Sequence, residues 1–91
     1  MKVVINTCFG GFSLPHAFCY TYGFDKYDYI ERTDERLINY VEERGGVVKE
    51  GSTKLRVVNV PDNCTDWEIS EYDGAESIIY VVDGTIKHAY H

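Results

Sequence analysis

Residues 65–90 read TDWEISEYDGAESIIYVVDGTIKHAY, and this run decides the fold. Thr65–Tyr72 alternates, with Trp67 and Ile69 on one face, as a half-buried strand does. Ser77–Val82 is apolar and β-branched. It is joined to Thr85–Tyr90 by Asp83-Gly84, two residues that both tolerate positive φ and so specify a tight hairpin. Asp73-Gly74 marks a second such turn. The last third of the chain is therefore strand, turn, strand, turn, strand.

Upstream, Lys54–Val60 is another β-branched run, stopped by Pro61. Val47-Val48 pairs with Lys54–Val58 through the EGST turn. Before it, Thr33 or Asp34 caps a helix whose buried stripe is Leu37, Ile38, Val41 and Tyr40, and Gly45-Gly46 ends it. Glu42, Glu43 and Arg44 face water. Phe24–Glu31 reads either as a short strand or as an aromatic connector. An earlier helix has Ser13 as its N-cap and Pro15 in its first turn. Leu14, Ala17, Phe18, Thr21 and Tyr22 recur at helical spacing to the stop at Gly23. Lys2–Asn6 opens the chain as a buried strand. The predicted fold is α+β. Two helices pack on one face of a mostly antiparallel sheet, in the order β-α-(β)-α-β-β-β-β, and residues 1–91 form a single domain. One helical layer leaves the other sheet face exposed or open to self-association, so a homo-oligomer is among the expectations.

Nine Lys+Arg against fifteen Asp+Glu give a net charge of −6 over 91 residues. That balance opposes direct nucleic-acid binding and anionic membranes, both of which need a basic surface. It suits solubility or a basic protein partner. Cys8, Cys19 and Cys64 are an odd number without paired spacing, so a disulfide framework is not expected. The chain opens directly into a strand, and no run nears the roughly 20 apolar residues of a membrane span. The expected compartment is the cytoplasm. The apolar fraction of 44% includes eight tyrosines, four phenylalanines and a tryptophan, a surplus of rings that suits a groove or an interface.

The chemistry-bearing candidates gather in NTCFGGFSL, residues 6–14. Gly10-Gly11, lying between a strand and a helix start, admits two readings. Either free N–H groups there receive a phosphate, or the glycines only turn a corner and send Phe9 and Phe12 inward. The loop lacks the lysine of the P-loop and is not G-x-G-x-x-G. Under the first reading the ligand-binding residues are Asn6, Thr7, Cys8, Gly10, Gly11, Ser13, Tyr20 and Tyr72, with Tyr22, Tyr27 and Tyr29 as further stacking rings. Catalytic residues are not expected. The outsider is Cys8 as nucleophile with His16 as base, which needs hydrogen-bond proximity. His16, His88, His91 and the cysteines have no metal-ligand spacing, so neither a metal nor a cofactor is expected. Asp66, Glu68, Glu71, Asp73 and Glu76 form an acidic set around the Asp73-Gly74 turn, read as solvated charges.

The block K-V-V-I-N-T-C-F-G-G-F-S-L (Lys2 to Leu14) resembles the opening of a family of small phage and prophage proteins, an apolar strand followed by N-x-C-[FY]-G-G-F-x-L. Ile30–Gly45, Lys54–Asp62 and Trp67–Glu76 extend the likeness, while Pro15 and Thr85–His91 depart from it. The resemblance implies a phage accessory protein acting in the host cytoplasm against bacterial defence. Two partners are then expected: a nucleotide-like immune signal held by sequestration, or a host defence nuclease or CRISPR effector blocked by an acidic face. That face would carry Asp34, Glu35, Glu42, Glu43 and the 66–76 hairpin.

Overall fold

The computed structural model describes residues 1–89; Tyr90, the end of the last expected strand, and His91, one of the histidines weighed for metal binding, lie outside the described residues. The elements are β1 (Lys2–Asn6), α1 (His16–Tyr22), α2 (Glu35–Glu42), β2 (Val47–Glu50), β3 (Thr53–Asn59), β4 (Asp66–Tyr72), β5 (Ala75–Val82) and β6 (Thr85–Ala89). The fold is α+β and every strand pairing is antiparallel.

The strands form two sheets, β1-β3-β2 and β4-β5-β6. On one face of the first sheet, Val4 and Leu55 pack against Leu14, Phe18, Ile30, Leu37, Ile38 and Val41. This is the helical layer that the stripes predict. Phe18 is its centre, fully buried, with the Phe24 and Tyr40 ring centroids each 5.6 Å away. The opposite face, expected to be exposed or self-associating, is instead covered by the second sheet. Val3, Ile5, Val58 and Val60 meet Ile78 there, flanked by Trp67, Ile69 and Tyr80. β1 is therefore buried on both faces, which is why Val3, Val4 and Ile5 run apolar without alternation.

Both D-G hairpins form as read. Asp73 and Gly74 have φ of 51° and 87°, and Asp83 and Gly84 have 52° and 75°. These are the two consecutive left-handed residues of a type I′ turn. Asp34 caps α2, its carboxylate accepting the Arg36 N–H at 2.9 Å. Its side-chain contacts with Arg36 hold that carboxyl below the usual range.

One local expectation is corrected and one open reading is resolved. Ser13 does not cap α1; the N-cap is Pro15, with no side-chain hydrogen bond. Ser13 is buried and its hydroxyl lies 2.6 Å from Thr53 Oγ1. Thr53 spends its only hydroxyl hydrogen on the Gly11 carbonyl, so Ser13 is the donor in that pair and is unavailable to the helix. Phe24–Glu31 forms no strand, which leaves the connector reading. Asp28 accepts the Asp25 N–H at 2.8 Å and closes a turn that leaves Tyr27 and Tyr29 both exposed. The connector continues along β1, where the Val4 N–H bonds the Arg32 carbonyl at 2.8 Å.

Candidate functional site

The end of β1 positions the loop. Asn6 is fully buried at the point where the strand stops, and its side-chain amide joins the Cys8 loop, the Gly74 turn and the start of β3. Nδ2 donates to the Cys8 and Gly74 carbonyls at 2.8 and 2.7 Å, and Oδ1 accepts from the Lys54 and Cys8 N–H groups. Both amide hydrogens and both carbonyl lone pairs are thus in use. The glycines explain themselves sterically. A Cβ on Gly10 would lie 2.2 Å from the Ser52 carbonyl oxygen, in the β2–β3 turn. A Cβ on Gly74 would lie 2.5 Å from the Gly11 nitrogen and 2.7 Å from the Phe9 carbonyl. The twin-glycine loop is a junction where the Gly51-Ser52 turn and the Asp73-Gly74 tip close on it from two sides.

Glu76 fastens the same junction. It falls on the inward face of β5 with Ile78 and Tyr80, so it is buried instead of solvated like the rest of the acidic set. Its carboxylate takes a bidentate hydrogen bond from Arg32 at 2.6 and 2.9 Å and accepts the Asn6 N–H at 2.7 Å. The Arg32 guanidinium also lies 3.6 Å from the centroid of the Phe12 ring. Arg32 and Glu76 therefore tie the connector, β1 and the second sheet together.

The ligand candidates divide among three places. Asn6, Cys8, Gly10 and Gly11 form the junction, and Ser13 joins it through Thr53. Thr7 and Tyr72 line a cavity of about 240 Å³ with Phe9, Ser70, Ala75 and Ser77. Phe9 and Tyr72 stand 69% and 76% exposed on either side. Tyr20, 88% exposed, belongs to a groove of about 410 Å³ beside α1, with His16, Cys19, Asp25, Lys26 and Glu50. At that helix start the His16 N–H already donates to Glu50 Oε2 at 2.9 Å. A carboxylate of the protein thus stands where a phosphate would be attracted.

Cys8 and His16 are not hydrogen-bonded to each other among the described residues. The thiol that shares a groove with His16 is Cys19, one helical turn along α1, a pairing whose signal in the sequence is the i, i+3 spacing. Burial, then the Asp25, Asp28 and Glu50 carboxylates, push the Cys19 thiol above its ordinary range, and its hydrogen points to the Leu14 carbonyl. It is held as a thiol, which makes it a poor nucleophile. Alkylation of Cys19 by iodoacetamide at pH 8, followed by peptide mass spectrometry, is expected to run several-fold slower than alkylation of free cysteine. A rate equal to or above that of free cysteine overturns this assignment. Among the described residues no three His, Cys, Asp or Glu side chains gather as a metal site.

A third groove, of about 370 Å³, runs between the connector and β4, lined by Tyr29, Ile30, Glu31, Arg32, Trp67, Glu68 and Ile69. No helix among the described residues is long and apolar enough to cross a membrane. No protein-family model, curated protein or solved structure matches the chain.

Proposed function

We propose that the protein is a non-catalytic, phage-type binding domain that disables a host defence protein by laying its acidic surface on a basic groove of that partner. The observation that carries this reading is the exposed charge that the fold's own ion pairs leave unused. The ion pairs among the described residues join the N-terminus to Asp62, Lys2 to Glu42, Arg32 to Glu76 and Arg36 to Asp34. None of them draws on Asp66, Glu68, Glu71 or Asp73, which line β4 and its turn. Exposed Tyr27, Tyr29 and Tyr72 add the rings that interfaces favour. Like charges along a rim speed encounter with an oppositely charged surface more than they deepen affinity.

Sequestration of a nucleotide signal is the second reading, favoured by the Phe9–Tyr72 cavity. Two exposed rings there offer stacking faces, and the hydroxyls of Thr7, Ser70 and Ser77 offer polar contacts. The Glu76 carboxylate also lines that cavity and opposes a phosphate, which places this reading second. Nuclease activity in an extract of defended cells distinguishes the two. Inhibition by the added protein is expected to weaken as salt rises and to fall with a Glu68→Lys, Glu71→Lys variant. Inhibition indifferent to both salt and charge, with intact nucleotide released on heating the protein, overturns the first reading in favour of the second.

A further inference from the structure

We propose that the free edge of β4 is a strand-addition site for an extended partner segment that alternates basic and apolar residues. This rests on the protein-blockade reading and names the partner's chemistry. Sheet edges elsewhere are closed or carry the wrong charge. Two of the outward N–H groups of β1 are taken, Val4 by the Arg32 carbonyl and Asn6 by the Glu76 carboxylate. β2 and β6, the remaining edge strands, carry Lys49 and Lys87 in their middles. Among the described residues β4 is paired on one side only, to β5, and it carries three carboxylates, Asp66, Glu68 and Glu71.

The register sets what each side of a guest strand would meet. The two-residue turn makes Tyr72↔Ala75 a hydrogen-bonded pair, so Trp67, Ile69 and Glu71 aim their backbone groups outward from the sheet. The Trp67 N–H is held by the Asp66 carboxylate at 2.9 Å. Among the described residues, no segment bonds the backbone N–H of Ile69 or Glu71 from the open side. Beyond that edge lies the 370 Å³ groove, a size within the roughly 300–1,000 Å³ of ligand clefts. Its floor is apolar, from Ile30, Trp67 and Ile69. Its one cation, Arg32, is already committed to Glu76. A guest strand alternates its side chains between two faces. One set would enter beside Trp67 and Ile69, with Glu71 beyond them toward the turn, and the other would stand beside Asp66 and Glu68. Apolar residues suit the first and lysine or arginine the second. A second copy of β4 laid parallel and in register is a poor guest, since it sets Asp66 beside Asp66 and Glu68 beside Glu68.

The probe is a capped peptide of alternating lysine and valine, seven residues long like β4. Amide hydrogen exchange by NMR reads its position. With peptide at about ten times its dissociation constant, the Ile69 and Glu71 amides are expected to exchange about tenfold more slowly, with Lys49 and Lys87 unchanged. Glu68→Lys is expected to weaken binding about tenfold, and N-methylation of alternate peptide residues to abolish it. Protection appearing on β2 or β6, no protection anywhere, equal binding by the N-methylated peptide, or β4 protection in the protein alone through self-association would each overturn the strand-addition site. If salt- and charge-sensitive inhibition of the nuclease persists while the peptide fails, only this binding mode is lost. If that sensitivity is also absent, the blockade reading falls with it.

Discussion

Glu76→Ala is expected to cost about 3–5 kcal/mol of folding stability, the range for removing one partner of a buried ion pair. The carboxylate side chain is 8% exposed and that of Arg32 21%, so the guanidinium left behind cannot rehydrate fully. It would retain the Val4 carbonyl at 3.4 Å and the Phe12 ring, neither of which neutralises it. The Asn6 N–H would lose its acceptor as well. Domains of this size hold about 5–15 kcal/mol in all, so the loss is a large share. The corresponding fall in melting temperature is roughly 12–40 °C. Thermal and urea unfolding followed by circular dichroism measure it. Replacing both partners by apolar residues, Arg32→Met with Glu76→Leu, is expected to restore part of the loss, because no charge is then stranded. An Asn6 N–H still without an acceptor keeps that double variant below wild type. A Glu76→Ala protein within about 1 kcal/mol of wild type would show that the pair is solvated and does not join the two sheets.

The same pair marks where legibility in the sequence ends. Asp73-Gly74 and Asp83-Gly84 were readable because a two-residue hairpin imposes a backbone demand that few residue types meet. The α2 stripe was readable because Leu37, Ile38 and Val41 recur at helical spacing. Glu76 was not, since its neighbours in sequence place it in an acidic, water-facing set. Only the strand period, counted back from Ile78, turns it inward, and its partner lies 44 residues away. Alternation at Trp67 and Ile69 announces a buried face but not what buries it, so a second sheet and a self-associating surface looked alike. The twin glycines posed the same ambiguity at closer range. They show that something approaches the backbone, and the residue type is indifferent to whether that is a phosphate or another turn of the chain. Ser13 departs from its cap signal for a related reason: a hydroxyl before a helical pattern reads as a cap, and Thr53, which diverts it, comes 40 residues later.

Gly74→Ala separates close approach from backbone strain, because Gly45 supplies a matched control. Both glycines have φ of +87°, so each alanine carries the same left-handed penalty of about 1–2 kcal/mol. Nothing lies within 4 Å of a Cβ on Gly45, whereas one on Gly74 meets three backbone atoms of Phe9 and Gly11 at 2.5–2.9 Å. Backbone at both ends of that contact leaves no flexible side chain to yield. The hairpin tip must lift, and lifting it breaks the bond from Asn6 Nδ2 to the Gly74 carbonyl. An amide hydrogen buried without an acceptor costs about 1–3 kcal/mol further. Gly74→Ala is therefore expected to destabilise by about 2–5 kcal/mol and Gly45→Ala by about 1–2 kcal/mol, as read from paired urea titrations. The tip also anchors the turn that ends β4, so the Gly74 variant is expected to speed amide exchange across residues 66–72 while leaving β2 and β3 protected. Equal losses in the two variants would mean that the tip rests against the glycine loop without being seated in it, and the junction would then have room for a ligand after all.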